Sequence, residues 1–375
     1  MKWIFWTSVA FVGYTFAGYP VWLWLRSWLR PLSVKSGSYY PFVSVVLVVR
    51  NEALQLRDKL NNLIELNYPS DACEIIVVSD ASTDDTNKIL SDYARNERIR
   101  VILNPQAQGK AAGLNDALEV CRGEIVVFTD ARQRLEPDSV RFLAENFADP
   151  AVGCVSGELM LGDTHAGETG QGFGLYWRFE KWVRELEAAS GSVVGATGAL
   201  YAVRRELLAP LPPDTILDDV YQPMQVVRQG FRVVLEPCAK AWDKPNLGAG
   251  REFARKVRTL SGNYQLLELA PWLLSSANPL RFEFVSHKLL RLMVPFALLG
   301  ALASAMFLRQ SLYRTAILIQ VAFYTLSIAA VMRLRPGLVA RAADAALTFV
   351  LLNTAALVAF ANFITGRRPE WGRQG

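Results

Sequence analysis

Acidic residues recur directly after the apolar, β-branched runs of this 375-residue chain: Glu52 after VSVVLVV, Asp80 after EIIVVS and Asp130 after EIVVFT. Ligands of open α/β sheets sit in the crevice outside the carboxyl ends of the strands, so these positions are the first place to look for chemistry. Three carboxylates along one sheet edge repel one another and need hydrogen-bond donors, a cation or basic neighbours to stay ionised. A ribose, a base edge and a metal-bound diphosphate would meet those needs. Two familiar nucleotide signatures are missing from the sequence. GxGxxG is replaced by VVRNEAL after the first run, which argues against hydride chemistry. The nearest approach to a phosphate loop, NPQAQGKA, has Asn104 in place of the first glycine and Ala111 after Lys110.

Gln108 to Asn115 still suits an anion, since Gly109 lets the backbone come close and Lys110 brings a point charge near a helix start. A plain turn followed by a solvated lysine is the competing reading of that segment. Gly191 to Ala199, which includes Gly198, permits tight turns and either close approach to a sugar or simple packing between sheet elements. Arg204 and Arg205 face phosphate or solvent. His165 and His287 stand alone and receive no role; His287, beside Lys288, is expected at a membrane interface. The four cysteines stand singly, which excludes a zinc site or disulfide framework and suits reduced, cytosolic thiols.

The elements that must position these residues alternate. VSVVLVV, EIIVVSD, RIRVIL and EIVVFTD are separated by polar stretches of helical length, the pattern of βαβ units in a mostly parallel α/β sheet flanked by helices. Apolar blocks bracket them. Trp3 to Leu25 is long enough to cross a hydrocarbon core of roughly 30 Å, and lacks the small-residue cleavage pattern of a signal peptide. Leu292 to Leu308, Thr315 to Met332 and Ala345 to Ile364 are three further candidate spans. The expected organisation is an anchor and linker over 1–40, a catalytic domain over 41–250, interfacial amphipathic helices over 251–286, three membrane helices over 287–366 and a tail over 367–375. The net charge of +5 clusters beside the apolar blocks (Arg26, Arg30, Lys35; Lys288, Arg291; Arg333, Arg335, Arg341), favouring a membrane surface over nucleic acid. Arg26, Arg30 and Lys35 place the following domain in the cytosol, at the inner membrane face, by the positive-inside rule. Arg367, Arg368 and Arg373 resist the outside C-terminus that four spans would give.

Six ordered motifs carry a resemblance: VSVVLVVRNEA, EIIVVSDASTDDT, GKAAGLNDAL, EIVVFTDAR, GATGALYAVRRELL and TILDDVYQPMQVVRQGFRVVLEP. Together, over roughly Val43 to Gly262, the chain resembles the family 2 glycosyltransferases, which have a GT-A fold. The resemblance implies an inverting transfer of a sugar from a nucleotide sugar, of the UDP type, to a lipid or polysaccharide acceptor. It implies that Glu52 and Asp80 contact the donor nucleoside and that Lys110 sits near its base and phosphates. Asp130 matches the first acid of the DxD motif, which holds a divalent cation, Mg2+ or Mn2+. Asp219 matches the acceptor-activating base and Asp218 its neighbour; on residue type alone the same pair reads as a helix N-cap with an acid in the first turn.

The chain departs from the family pattern twice. The DxD motif reads Asp130, Ala131, Arg132, so a metal would lean on Asp130 and phosphate oxygens while Arg132 offers its planar fork to the diphosphate. Asp243 is a further candidate ligand. The QxxRW motif of processive members keeps only its arginine, Arg258, which could reach donor phosphates or lie among Arg251 and Arg255 as a lipid-headgroup contact. These departures motivate an alternative, a catalytically silent membrane subunit that binds a partner synthase or a regulatory nucleotide.

Overall fold

The computed structural model describes residues 1–162, 173–243, 249–332 and 339–367. His165 and the arginines Arg333, Arg335, Arg368 and Arg373 lie outside the described residues. Eight strands form one sheet: β1 (Val43–Val49), β2 (Cys73–Asp80), β3 (Ile99–Asn104), β4 (Ile125–Thr129), β5 (Arg134–Leu135), β6 (Val152–Leu161), β7 (Leu200–Arg204) and β8 (Arg232–Asp243). Their spatial order is β3-β2-β1-β4-β7-β6-β8-β5. The first four are mutually parallel, and β6 runs parallel to β8. The sheet is mostly parallel, as expected, with two antiparallel insertions that make it mixed: β7 enters between β4 and β6, and β5 pairs with β8.

The continuous apolar runs follow from burial on both sides. Along β1, Val43, Val45, Leu47 and Val49 enter one core while Val46 and Val48 enter the other, the period-two alternation of a strand. Leu56, Leu60 and Leu63 of the helix Ala53–Ile64 cover the first face. Leu114 and Ala117 of the helix Lys110–Val120, with Val220 and Met224 of Asp218–Arg228, cover the second. Each fully buried Leu or Val contributes about 1.5–3 kcal/mol, so a sheet covered on both faces holds its carboxyl-end loops on a stiff frame.

Among the described residues three helices are long and apolar enough to cross a membrane, Arg281–Met306, Ser311–Val331 and Ala342–Ile364, close to the spans expected from hydropathy. The N-terminal helix is not among them. Its α-helical pieces, Lys2–Gly13 with 12 residues and Tyr19–Leu29 with 11, are joined by a π-helical turn at Tyr14–Gly18. It nevertheless packs beside the apolar helices, with Phe5 among Ala301, Ala305 and Tyr313. The helix Ala249–Leu269 connects the sheet to this bundle and touches Val339–Ile364.

Candidate active site

The strand-end acids occupy the carboxyl edge, but their side chains are not equivalent. Asp80 is buried, and its two oxygens accept the backbone N–H groups of Gln108 at 2.7 Å and Gly109 at 3.0 Å. It therefore fixes the loop before the helix Lys110–Val120, where Gly109 takes φ +88°, a conformation that disfavours any side chain. At the end of β1, Asn51 sits at φ +56°, and its side-chain oxygen accepts the Thr83 N–H at 2.8 Å, tying the β1 and β2 exits together. Glu52 stands beside them, paired with Gln55. Burial raises its pKa, and the negative charge of Asp130 adds to the rise.

Lys110 gathers the remaining acids. Its Nζ lies 3.0 Å from Asp130 Oδ1 and 3.1 Å from Asp218 Oδ1. Burial works against its charge, yet Asp130 and Asp218 outweigh that effect and hold the ammonium above its ordinary range. Asp218 also accepts the Tyr201 hydroxyl at 3.1 Å, and the Tyr201 ring stacks on Phe128. Asp219, next in the chain, is pushed up to about 6, first by burial and then by the Asp218 charge. Its Oδ2 accepts the Gly198 N–H at 3.0 Å, and a Cβ at Gly198 would stand 3.1 Å from that oxygen.

A proline explains part of this arrangement. Pro223 has no N–H, so it cannot bond the Asp219 carbonyl four residues earlier in the helix. That carbonyl accepts the Ala196 N–H instead, at 2.6 Å. Asp219 thus touches the glycine-rich turn through its main chain and its side chain.

Asp130 and Asp219 line one cavity of about 240 Å³, together with Gly198, Trp177, Arg255 and Lys256. Asp130 leaves β4 with its side chain 41% exposed. Two residues later, Arg132 is engaged by Asp243, which also receives Arg255 at 3.4 Å and Gln133 at 3.3 Å. The arginine in place of the second acid is thus spent on a buried carboxylate. No cluster of three His, Cys, Asp or Glu side chains suited to a metal occurs among the described residues. A single accessible carboxylate still fits a hard ion carried in by substrate phosphates, because Mg2+-type ions take one or two protein carboxylates and complete their shell with phosphate and water.

Several participants were not expected from the sequence. Lys59, in the middle of an amphipathic helix, is buried and donates to Thr129 Oγ1 at 2.8 Å and the Gln133 carbonyl at 2.7 Å. It clamps both ends of the loop that carries Asp130 and Arg132. Burial pulls its ammonium down to about 7, against the Asp130 charge. Glu252, Arg255, Lys256 and Thr259 face the cavity at helical spacing, and such a face could have been read from the sequence. Arg258 is not among the residues lining this cavity, and its Nε is buried without a partner. Arg204 is bound to the carbonyls of Val152 at 2.9 Å and Phe147 at 2.7 Å, and Arg205 opens a short 3-10 turn. His287 is buried between Glu187 at 2.7 Å and Glu180 at 3.2 Å, where the first apolar span meets the helix Phe173–Ser190.

A second cavity of about 310 Å³ shares Asp219, Thr197 and Lys256 with the first and reaches the apolar helix Val339–Ile364 through Phe349 and Leu352.

Comparison with known proteins agrees with this architecture. Residues 44–210 match the family model described as glycosyl transferase family 2. The poly-β-1,6-N-acetyl-D-glucosamine synthase of Staphylococcus epidermidis is 23% identical over 236 residues, covering 60% of this chain and 55% of that protein. The β-monoglucosyldiacylglycerol synthase of a Nostoc species is 27% identical over 186 residues, covering 48% of this chain and 40% of that protein. The chain thus spans about half the length of the curated relatives it matches. Among solved structures, a mannosyltransferase from Pyrobaculum calidifontis, in complex with GDP-Man and Mn2+, superposes with a TM-score of 0.73 at 24% identity, covering 97% of this chain and all of that one. Over residues 44–210, ahead of the three apolar helices, the chain thus carries a match to glycosyl transferase family 2, and its fold is that of the GT-A-type neighbour.

Proposed function

We propose that the protein is an inverting glycosyltransferase that moves a sugar from a nucleotide-sugar donor, of the UDP type, to a lipid or polysaccharide acceptor at the cytoplasmic face of a membrane. The observation that carries this reading is the shared cavity of Asp130 and Asp219, with Lys110 bound to both Asp130 and Asp218. The names of the two relatives point to a glycan product and a glycolipid product, which supports the acceptor classes.

In the proposed reaction the acceptor oxygen bonds to the anomeric carbon as the bond to the nucleoside diphosphate breaks on the opposite face. Asp219 takes the proton of the attacking hydroxyl. The Gly198 N–H holds one of its oxygens, leaving the other for the acceptor. A carboxylate pushed up to about 6 is a better base than an ordinary one and still ionised at neutral pH. Lys110 places positive charge where negative charge grows on the departing diphosphate. A divalent cation on Asp130, Mg2+ or Mn2+, would neutralise the same group when bound. Glu52 lies at the nucleoside side, and Asp80 acts there through the loop it fixes. The N-terminal helix would serve as a further anchor, with Arg26, Arg30 and Lys35 keeping the catalytic domain cytosolic.

The full chain in detergent, offered a panel of sugar nucleotides, should release nucleoside diphosphate from at least one, and Asp219→Asn should lose at least 100-fold of that rate, on the order of a general base's contribution. Absence of turnover with every donor, together with indistinguishable behaviour of the variant, would refute the reading.

A further inference from the structure

The cavity of about 310 Å³ has two unlike walls. One is hydrocarbon: Phe16 of the N-terminal helix with Phe349, Leu352 and Ala356 of Val339–Ile364. Phe16 and Phe349 meet with ring centroids 5.5 Å apart. The other wall is charged, with Lys181, Arg184, Lys256, Lys288 and Arg291 against Glu158, Glu180 and Asp219.

Pairing consumes only part of that positive charge. Lys181 meets Glu158 at 2.5 Å, Lys256 meets Glu252 at 3.6 Å, and Arg291 Nη1 meets Glu180. His287 takes the other Glu180 oxygen and Glu187. Lys288 has no ion pair or hydrogen bond among the described residues. Among the described residues Arg184 donates only to the Ser156 hydroxyl, at 2.7 Å, and has no carboxylate in ion-pair range. Arg291 keeps Nε and Nη2 buried without a hydrogen-bond partner. Withdrawing a cation from water without a carboxylate, or guanidinium donors without acceptors, is costly, so Lys288, Arg184 and the two spare donors of Arg291 around one cavity call for an anion. A neutral glycan or neutral lipid would leave them unmatched, and a free anion would leave the aromatic wall uncovered.

We propose that this cavity binds the acceptor, and that the acceptor is a lipid phosphate: a hydrocarbon chain along Phe16, Phe349 and Leu352, and an anionic phosphate-type group on Lys288, Arg184 and Arg291. The inference rests on the glycosyltransferase reading, because Asp219 is the residue through which this cavity meets the donor side. It narrows the acceptor from lipid or polysaccharide to an anionic amphiphile.

The test titrates the full chain in detergent with farnesyl phosphate, farnesol and inorganic phosphate, reading tryptophan fluorescence, since Trp177 lines the cavity. Farnesyl phosphate should bind at least tenfold more tightly than either fragment, as charge-assisted hydrogen bonds warrant. Lys288→Gln should remove about tenfold of the farnesyl phosphate affinity and leave farnesol unchanged, while Lys288→Arg keeps the preference and controls for folding. Equal binding of farnesol would indicate a neutral lipid site, and equal binding of inorganic phosphate a free-anion site; either overturns the proposal. So does a Lys288→Gln protein that retains the phosphate preference. Nucleoside diphosphate release from sugar nucleotides without lipid is read in parallel. Release without the farnesyl phosphate preference removes the lipid-phosphate assignment alone, whereas binding without release from any donor sinks the enzymatic reading and the acceptor assignment with it.

Discussion

Replacing Asp218 by asparagine removes one negative charge beside the proposed base with little change of shape. Asp219 is raised from an ordinary 3.8 to about 6, with burial the larger cause and the Asp218 carboxylate the second. Carboxylates on consecutive residues lie roughly 6 Å apart, where unit charges interact by about 2–3 kcal/mol at an effective dielectric constant of ~20. Lys110 offsets part of this, since it touches Asp218 and lowers Asp219 as well. The net effect of Asp218→Asn is then about 1.4 kcal/mol, or roughly one pH unit. An asparagine oxygen can still accept the Tyr201 hydroxyl, and Lys110 keeps Asp130. The assay is kcat/KM for nucleoside diphosphate release between about pH 5 and 9, which reports the free enzyme's groups. A base must be deprotonated to act, so wild-type activity rises as pH rises through about 6. The variant's limb should fall near pH ~5, raising relative activity at about pH 5 from roughly a tenth to roughly half of the plateau. A limb that stays within about 0.3 of the wild-type position, or moves upward, would refute Asp219 as a base tuned by Asp218.

Three other outcomes follow from the geometry. Gly198→Ala brings a methyl group within 3.1 Å of Asp219 Oδ2; kcat should drop about tenfold or more while Tm moves by no more than about 3 °C, measured by steady-state kinetics and a melting curve. Lys59→Met removes the clamp on the Asp130 loop and also a buried amine whose pKa is depressed to about 7. Because the unfolded lysine stays protonated over that range, wild-type stability should rise by roughly 2 kcal/mol between about pH 7 and 8.5, and denaturant midpoints of the variant should lack that rise. Asp130→Asn leaves the proposed ion only phosphate and water, so the Mn2+ concentration for half-maximal activation should increase about tenfold or more; an unchanged requirement would remove Asp130 as a ligand.

The strand-end acids were legible because polarity breaks sharply after each β-branched run, and the sheet places those breaks along one edge. The fate of each acid was not. Asp80, expected at the nucleoside, spends both oxygens on the Gln108 and Gly109 N–H groups, a tertiary contact 28 and 29 residues away that no local pattern encodes. Lys59 reads as a solvated position in ALQLRDKLNNLI, yet its long side chain runs beneath the β4 exit. Within the mostly parallel sheet, the antiparallel entry of β7 was not legible, because β7 joins β4 from about 70 residues away. Arg258 drew attention through a motif remnant, whereas Glu252, Arg255, Lys256 and Thr259 follow the helical period and share the cavity-facing side. The apolar C-terminal spans were the easiest to read, since length and hydropathy suffice.

Pro223 has one more effect. By leaving the Asp219 carbonyl to Ala196 while the carboxylate takes Gly198, it stitches the head of one helix to the turn opposite at two points. Two hydrogen bonds thus hold the proposed base and that turn together as one piece. Tightening around a substrate has to come from across the cleft, where Arg255 and Lys256 ride on a helix packed against the apolar bundle. Bilayer stress acting on that bundle would then be felt at the cavity wall formed by Arg255 and Lys256 before it reached Asp219.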